Sequence, residues 1–489
     1  MNYSDHHVCR ARLKNVLLLL ILWLVSAQFL GASAFSINEL GARAMGMSGA
    51  FVAIANDGSA IFYNPAGIAF QKGMRFEMDG LLVEGFFRFV PTDVPPGTIV
   101  PSRGFDGYIR PKVVPVANMY FTKDISKKWT LGFGAFAPFG LGANWENFHD
   151  SDPANTKFVA RYVSSRPLMQ SFWLQPTAAY RISENSSVAL GIAFVHTHVF
   201  LQQSILNPLD EGRTFGEKLA DIVFPGQDTV LAGRSIARLL PEGRSRLAGT
   251  SDDYGVAAGY LYKHPASKTN IGLMYRSAVV HHFTGTGSFA FTKNYPLKPF
   301  VGIKEFQKRF PDQNIKMHFP TPGTYAIGIS NSAFWNSTIA FDFTVQDYRR
   351  FKDVIVNFTQ TKDTGTPAEA RLTFDFRNSY AWRFGIEKPW NTNTIFRAGY
   401  FFDRTPVPDK SVGPLWPDSS RHNFTLGVSR RMGNKEFSFF YQAMQFINRT
   451  TNVPANVKQL TNGHYNNYAN LAGFSMRIHL GSPTIDTGR

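Results

Sequence analysis

Hydrophobic and polar residues alternate along several stretches of about ten residues. In 339–346, Phe341 and Phe343 fall on one face of an extended chain and Asp342 falls on the other. Comparable stretches lie at 129–135, 188–194 and 474–480. Successive side chains of a strand point to opposite faces. The pattern therefore predicts strands with one apolar and one more polar face, as in a membrane-spanning barrel.

Laid end to end, such segments predict fourteen strands. They lie near 75–90, 110–122, 129–139, 165–182, 187–204, 252–264, 268–292, 320–334, 336–359, 370–388, 393–404, 421–433, 435–449 and 468–481. An even number fits a closed antiparallel barrel, which leaves no strand edge unpaired in lipid. The expected fold class is all-β, a 14-stranded antiparallel transmembrane β-barrel. The competing interpretation is a soluble β-sandwich, which explains the many outward aromatic residues and the export signal less easily.

The connections between these strands alternate in length. Short ones lie near 185–186, 391–393 and 433–434, and long ones at 140–164, 205–251, 293–319, 405–420 and 450–467. Short periplasmic turns and long external loops are typical of outer-membrane barrels. This alternation predicts that both chain ends face the periplasm.

The 205–251 connection has apolar residues at helical spacing. Two short amphipathic helices fit, broken at Pro225-Gly226, with apolar positions at Leu219, Ile222, Val223, Ala232, Ile236, Leu239 and Leu240. One interpretation is that these helices pack on each other and on loop 140–164. The other is that they frame a groove that receives an apolar ligand from outside.

Composition supports the barrel and the N-terminus indicates export. Aromatic residues make up 15% of the 489, yet the mean hydropathy of −0.16 is too polar for a bundle of membrane helices. Arg10, Arg12 and Lys14 precede an apolar run over 16–30, and an A-x-A site at 32–34 follows. We expect residues 1–34 to be a cleaved signal peptide and Phe35 to begin the mature chain. An uncleaved membrane anchor is the alternative.

The formal net charge of +16 then indicates contact with phospholipid or lipopolysaccharide headgroups, or with an anionic ligand. No nucleic-acid motif is present, so nucleic acid is not an expected partner. The single cysteine, Cys9, lies in the signal peptide. His196 and His198 share a strand face without a second half of a metal site, so neither metal nor cofactor is expected.

The stretch that follows the signal peptide is rich in small and turn-forming residues. "NDGSAIFYNPAGIA" runs from Asn56 to Ala69, with turn signals at Asp57-Gly58 and Asn64-Pro65. Such residues suit a compact segment surrounded by a barrel wall rather than one with its own core. Asn64, Pro65 and Ala66 have two interpretations, a structural turn before the first strand or a hinge or loop that faces ligand.

Several motifs occur in a specific order after the signal peptide. They are "FSINELGARAMGMSGAFVAIANDGSAIFYNPAGIA" from Phe35, "LGFGAFAPFGLGANW" at 131–145, "ARYVSS" at 160–165, "QPTAAYRISENSSVALGIAF" at 175–194, "DDYGVAAGYLY" at 252–262, "IGLMYRSAVVHHFTGTG" at 271–287, "FPTPGTYAIGIS" at 319–330 and "RAGYFFDRTPVPDKSVGPLWPDSSRHNFTLGVS" at 397–429. In this order the chain resembles the FadL/TodX family of outer-membrane transporters of hydrophobic compounds over nearly the whole mature length.

The resemblance implies a fourteen-stranded barrel over 75–481 whose N-terminal segment, 35–74, folds into the lumen as a hatch. It implies long-chain fatty acids, or aromatic and aliphatic hydrocarbons, as substrates. Outer loops would capture them, a lumenal site against the hatch would hold them, and a gap beside a kinked strand would release them sideways. Transport would be passive. The polar tail 482–489 departs from the aromatic C-terminus common in outer-membrane barrels.

Candidate ligand-binding residues follow from strand phase. The less apolar faces carry Arg276, Arg383 and Arg397, and Phe35 begins the mature chain; Arg161 and Arg166 flank a long outer loop. One interpretation is a structural ladder of ion pairs, with Asp342 and Glu387 as counter-ions. The other is that arginine holds a carboxylate head group, which its paired N–H groups suit. A neutral hydrocarbon would need none of them.

Two other functions compete with transport of hydrophobic molecules. A general diffusion porin predicts an open polar lumen without a glycine-rich hatch. A lipase-type enzyme could use Ser277 and His281, but these lie roughly 13 Å apart along a strand, too far for a proton relay. Pro138, Gly140 and Gly142 are expected irregularities in the third strand and mark a candidate wall opening.

Overall fold

The computed structural model describes residues 35–92, 107–109, 114–145, 159–205, 241, 243–293, 295, 298–299, 302–360, 369–454 and 461–480. The expected signal peptide, the expected loop helices over 219–240 and the polar tail 482–489 lie outside these residues.

Twenty strands form one continuous sheet. They are β1 Met74–Pro91, β2 Gly107–Ile109, β3 Val114–Asp124, β4 Trp129–Gly142, β5 Arg166–Arg181, β6 Ser186–Ile205, β7 Gly243–His264, β8 Thr269–Arg276, β9 Val279–Phe291, β10 Gln313–Thr321, β11 Gly323–Asn331, β12 Thr338–Asp347, β13 Asp353–Phe358, β14 Glu369–Thr373, β15 Ser379–Pro389, β16 Thr394–Asp403, β17 Arg421–Met432, β18 Lys435–Phe446, β19 Arg449–Thr451 and β20 Gly463–Leu480.

These strands build a closed antiparallel barrel with fourteen spanning strands. Six spanning strands are interrupted and each consists of two pieces, namely β2 with β3, β8 with β9, β10 with β11, β12 with β13, β14 with β15, and β18 with β19. Closure comes from β1 and β20, which pair from Met74 opposite Leu480 to Pro91 opposite Gly463. The predicted number of strands and the predicted all-β class are therefore confirmed.

Some predicted boundaries are wrong. The sixth, eighth and last spanning strands begin at Gly243, Gln313 and Gly463, well before the predicted 252, 320 and 468. Part of the predicted loop 293–319 is a short helix, Ile303–Arg309. The early parts of β7, β10 and β20 contain many polar residues. The prediction relied on a row of outward apolar side chains. A strand needs such a row only where it crosses the lipid, so the parts of strands that extend beyond the lipid were missed.

Burial alternates along the strands as the sequence pattern requires. In β12, Asp342 is fully buried, whereas Ile339 is 40% exposed and faces outward with Phe341. The outer surface is a band of exposed apolar side chains, including Leu190, Ile192, Ile327 and Leu426. No helix in the described ranges is long and apolar enough to cross a membrane.

Residues 35–73 precede β1 and contain three short helical pieces. These are α1 Ala42–Gly46, α2 Ala60–Tyr63 and a 3₁₀ helix, Pro65–Phe70. Nearly every residue of this stretch is buried. We call residues 35–73 the lumenal segment, because its partners, described next, lie on inward faces around the whole barrel.

Candidate functional site

The lumenal segment is hydrogen-bonded to wall strands on all sides of the barrel. Its partners on the wall include Asp79, Gln175, Ser187, Tyr260, Arg276, Asp342, Glu387, Thr425 and Ser475. Those residues belong to β1, β5, β6, β7, β8, β12, β15, β17 and β20. The segment therefore lies across the barrel interior and contacts the wall around its circumference.

Three wall carboxylates accept hydrogen bonds from backbone N–H groups of the segment. The bonds run from Gly41 to Asp79 at 2.9 Å, from Gly58 to Glu77 at 2.9 Å, and from Phe51 and Val52 to Asp342 at 2.7 and 2.8 Å. Buried N–H groups outside a sheet need such acceptors. Asp342 was predicted as a counter-ion for arginine; its Oδ2 binds backbone N–H groups, and the positive charge of Arg383 acts on it without a hydrogen bond among the described residues.

Glu387, by contrast, is a counter-ion as predicted. Arg43 of the segment donates two hydrogen bonds of 3.0 Å to its carboxylate, and Arg397 on β16 donates a third of 2.7 Å. Arg397 also bonds the hydroxyl of Ser429 at 2.5 Å. All three charged groups are nearly buried. This cluster fixes the segment to the wall, so Arg397 is occupied by protein groups.

Arg383 is also committed to the lumenal segment. Its guanidinium donates to the carbonyl oxygen of Ser48 at 2.8 Å and lies 4.3 Å from the centre of the Phe401 ring. The sequence pattern correctly placed this arginine on the inward face. Its partner is backbone rather than a carboxylate, which the pattern did not predict.

Arg276 has a different environment, formed by aromatic rings. Its guanidinium lies 4.3 Å from the centre of the Phe62 ring, 5.4 Å from Trp173 and 5.6 Å from Phe136. One nitrogen donates to the carbonyl oxygen of Phe62 at 2.8 Å. Nε and Nη1 have no hydrogen-bond partner among the described residues, although the side chain is almost fully buried. Buried donors without acceptors are uncommon and costly.

Phe35 begins the segment inside a cluster of aromatic side chains. Its ring centre lies 5.3 to 6.0 Å from those of Trp416, Tyr348, Phe351 and Phe139. The cluster continues from Phe351 to Phe319, Phe374 and Phe376. The hydroxyl of Ser36 is 2.6 Å from that of Tyr348. We call this set, with Phe35 at its centre, the aromatic cluster.

The aromatic cluster adjoins a break in the third spanning strand. The pairing of β4 with β5 shifts register between Phe136 and Phe139, so the predicted irregularity at Pro138 is confirmed. The start of the lumenal segment occupies the edge of this break. Ile37 N–H donates to the oxygen of Pro138 at 2.7 Å, and Gly140 N–H donates to that of Phe35 at 2.8 Å.

Asn64 caps the 3₁₀ helix and ties the segment to the wall. Its Nδ2 donates to the oxygens of Val52 and Tyr260 at 2.8 and 3.0 Å, and its Oδ1 accepts from Ala66 N–H at 3.2 Å. Pro65 occupies the first helical position, where its missing N–H does no harm. All the polar atoms of the Asn64 side chain are thus engaged within the protein.

The wall facing the segment is lined with glycines at points of closest approach. A Cβ at Gly272 would lie 2.2 Å from the oxygen of Val52, and one at Gly385 would lie 2.5 Å from that of Met47. No side chain fits at such distances. The wall therefore accepts the segment backbone at these positions only because side chains are absent.

Glu39 is a buried acid within the segment. Burial raises the pKa of Glu39 above its ordinary value of 4.5, although the charges of Arg421 and Arg383 oppose this shift. Its Oε2 has no hydrogen-bond partner among the described residues.

The remaining candidates are two arginines beside a long outer loop and six apolar residues of the 205–251 connection. Arg161 lies in a short 3₁₀ helix, with its guanidinium 4.7 Å from the Tyr162 ring, and Arg166 begins β5 and lies 5.6 Å from the Phe200 ring. The loop candidates Leu219, Ile222, Val223, Ile236, Leu239 and Leu240 lie outside the described residues.

Several residues at the site were not identified from the sequence. They are four buried aromatic residues, Trp173, Tyr348, Phe351 and Trp416. Trp173 lies on β5, where the alternation of residues along the strand places it on the inward face, so the sequence pattern could have identified it. Tyr348, Phe351 and Trp416 lie in irregular stretches, where no period assigns a side.

The family model described as "Outer membrane protein transport protein (OMPP1/FadL/TodX)" matches residues 23–478. The chain is 22% identical over 406 residues to the long-chain fatty acid transport protein of Salmonella typhi, covering 81% of this chain and 84% of that one.

Two solved structures share the fold. A Pseudomonas aeruginosa FadL homologue superposes with a TM-score of 0.73 at 14% identity, covering 92% of this chain and all of that one. The P. putida toluene transporter TodX superposes with a TM-score of 0.62 at 14% identity, covering 93% and 99%.

Proposed function

The chain belongs to the OMPP1/FadL/TodX family of outer-membrane transport proteins, and on this premise we propose that it takes up hydrophobic molecules passively through the barrel. The family and the barrel fold indicate the outer membrane as its location, and family members are transport channels rather than enzymes. In our proposal residues 1–34 are removed on export, residues 35–74 act as a hatch, and the barrel works as a monomer among phospholipid and lipopolysaccharide.

The route follows from the cost of moving apolar solutes through water. Re-entering water costs about 0.8 kcal/mol for each methylene group, so a continuous apolar path is favoured over an open aqueous pore. We infer that substrate enters from the outer loops, rests against the hatch and leaves sideways into lipid beside Pro138. The observation that carries this proposal is the aromatic cluster, which joins the start of the segment to the break in β4.

Long-chain fatty acids and hydrocarbons both fit such a path. The relative from Salmonella typhi is named for long-chain fatty acids, and TodX for toluene. Arg276 supports an acid, since its Nε and Nη1 have no acceptor among the described residues and could bind a carboxylate. Arg383 and Arg397 are less suitable because protein groups already occupy them.

The proposal is tested by planar-bilayer conductance together with uptake of labelled oleate and toluene into proteoliposomes. We expect almost no steady ion conductance and clear uptake of at least one apolar solute. Large, steady open channels with equal passage of polar solutes would instead support a general porin. A density map of protein purified without added ligand would identify a co-purified substrate in the aromatic cluster.

A further inference from the structure

Basic side chains are concentrated at one end of the barrel. We call it the short-turn end, formed by the connections 125–128, 182–185, 265–268, 332–337, 390–393 and 433–434 and by the approach to β1 at 71–73. Exposed basic residues there are Lys72, Lys123, Lys127, Lys128, Lys268, Lys388, Arg430, Arg431 and Lys435. Among the described residues of this end, Glu184 is exposed and Asp124 is half-buried, whereas Glu387 and Glu436 are buried in ion pairs.

Four of these cations continue the outward, apolar rows of the strands. Each lies on the same face as exposed or half-buried apolar side chains and at the short-turn end of that row. The pairs are Lys123 with Phe121, Lys388 with Ile386, Arg430 with Leu426, and Lys435 with Phe439. Charges in this position lie just beyond the apolar band, at the depth of lipid headgroups, and long basic side chains reach such a level readily.

Aromatic side chains mark the same level. Trp335 is 80% exposed and Trp390 is 75% exposed, both in short connections, and Trp129 begins β4. The amine of Lys128 lies 5.9 Å from the centre of the Tyr180 ring. Exposed tryptophan and tyrosine are typical of the boundary between hydrocarbon and headgroups.

The opposite end carries charges of both signs that pair with each other. There Arg371 bonds Asp353 and Glu369 at 3.3 and 3.0 Å, Arg349 bonds Asp347 at 3.0 Å, and Lys410 bonds Asp375. Among the described residues, exposed cations therefore outnumber exposed acids by a larger ratio at the short-turn end than at the opposite end.

We propose that the short-turn end binds anionic phospholipid headgroups of the leaflet it faces, through the phosphate groups of those lipids. The inference rests on the proposed placement in the membrane. Lys123, Lys388, Arg430 and Lys435 lie on β3, β15, β17 and β18, which fall within seven neighbouring strands from β15 through β20 and β1 to β3, about half of the circumference. A lipid surface fits better than an acidic protein, because each of these cations ends an outward row of apolar side chains that faces lipid, and so lies beside headgroups rather than on the aqueous end of the barrel.

The test measures lipid preference directly. The full mature chain is placed in phosphatidylcholine vesicles that contain either brominated phosphatidylglycerol or brominated phosphatidylcholine, and quenching of tryptophan fluorescence gives the relative affinity. Each basic residue near an anionic surface contributes roughly fivefold to binding. We therefore expect the preference for phosphatidylglycerol to fall by at least about tenfold in the variant Lys123→Gln, Lys388→Gln, Arg430→Gln and Lys435→Gln.

A matched control removes four positive charges at the other end, by Lys304→Gln, Lys308→Gln, Lys316→Gln and Arg350→Gln. It should keep the wild-type preference. Equal preference in the wild type and the short-turn variant would overturn the proposal and favour an acidic protein as partner. An equal loss in both variants would also overturn it, since net charge alone would then suffice.

Folding of each variant is checked by the gel shift between unheated and heated samples. Uptake of labelled oleate and toluene in the same vesicles tests transport separately. A wild type that prefers phosphatidylglycerol but takes up neither solute would refute the proposed transport and leave the lipid site intact.

Discussion

At the scale of single residues, Arg276 differs from the other lumenal arginines. Arg397 has a carboxylate partner and Arg383 has a backbone partner, whereas Arg276 has rings on three sides and two donors without acceptors in the described part of the chain. The residues next to each arginine in its strand are apolar and face outward, so the sequence pattern predicted that the arginines face inward. Glu387, the partner of Arg397, lies on a wall strand and was predicted as a counter-ion. The partners of Arg383 and Arg276 were not predictable, because they are backbone oxygens of the lumenal segment, which has no strand period.

We predict that Arg276→Gln lowers uptake of labelled oleate at least about tenfold, since charge-assisted hydrogen bonds to a carboxylate contribute about 1.5–3 kcal/mol. Uptake of labelled toluene should change little, because a neutral solute makes no such bond. Proteoliposome uptake measures both. Arg383→Gln is the comparison, and an equal loss of oleate and toluene uptake in the Arg276 variant would contradict the assignment.

Asp342 supplies a second prediction at this scale. It accepts the N–H groups of Phe51 and Val52, and Asp342→Ala would leave both without their acceptor at a cost of about 1–3 kcal/mol each. We expect a looser lumenal segment and faster hydrogen exchange at Phe51 and Val52, read by exchange mass spectrometry. Asp353→Ala removes a carboxylate that bonds Arg371 and Thr373, and it should leave exchange in the segment unchanged.

At the scale of elements, the packing of the lumenal segment on the wall depends on inward glycines. At Gly385 an added Cβ would meet the Met47 oxygen, whereas at Gly80 the nearest atom would be a side-chain carbon of Phe474 at an ordinary 3.7 Å. Both glycines lie in spanning strands, which sequence patterns identify. Strand phase separates them: Gly385 lies on the inward face of β15 with Arg383 and Glu387, whereas Gly80 lies on the outward face of β1 with Leu82. What the pattern does not give is how closely the segment backbone approaches Gly385.

We therefore predict that Gly385→Ala displaces the segment and raises ion conductance in planar bilayers, whereas Gly80→Ala conducts like the wild type. The displaced backbone carries α1 with it, since Met47 directly follows that helix. Overpacking of this kind typically costs about 1–3 kcal/mol. Unchanged conductance in Gly385→Ala would show that the segment absorbs the added methyl group in place.

At the scale of the whole molecule, the barrel was largely predictable and its contents were not. Strand number, class and facing follow from a period of two that the lipid imposes along each spanning strand. The lumenal segment does not face lipid, so no period of two is imposed on it. Its three short helical pieces and its contacts depend on tertiary packing alone. For the same reason polar strand ends beyond the lipid, such as Gly243 in β7, were missed.

A deletion tests whether the segment closes the barrel. Removing residues 35–60 takes away the start of the segment, Phe35 included, and most of the contacts described above while leaving the wall strands intact. We expect a folded barrel that changes from nearly silent to steadily conducting in planar bilayers. Equal conductance before and after deletion would mean that other residues close the lumen.

The glycines of the wall also limit how this protein can be recombined. Gly272 and Gly385 leave just enough room for the backbone at Val52 and Met47. A barrel from one relative and a segment from another need not match at these two contacts. Chimeras should fail at these contacts even when each half is intact in its parent. Engineering of new substrate ranges is therefore better directed at side chains of the aromatic cluster, with wall and segment inherited together.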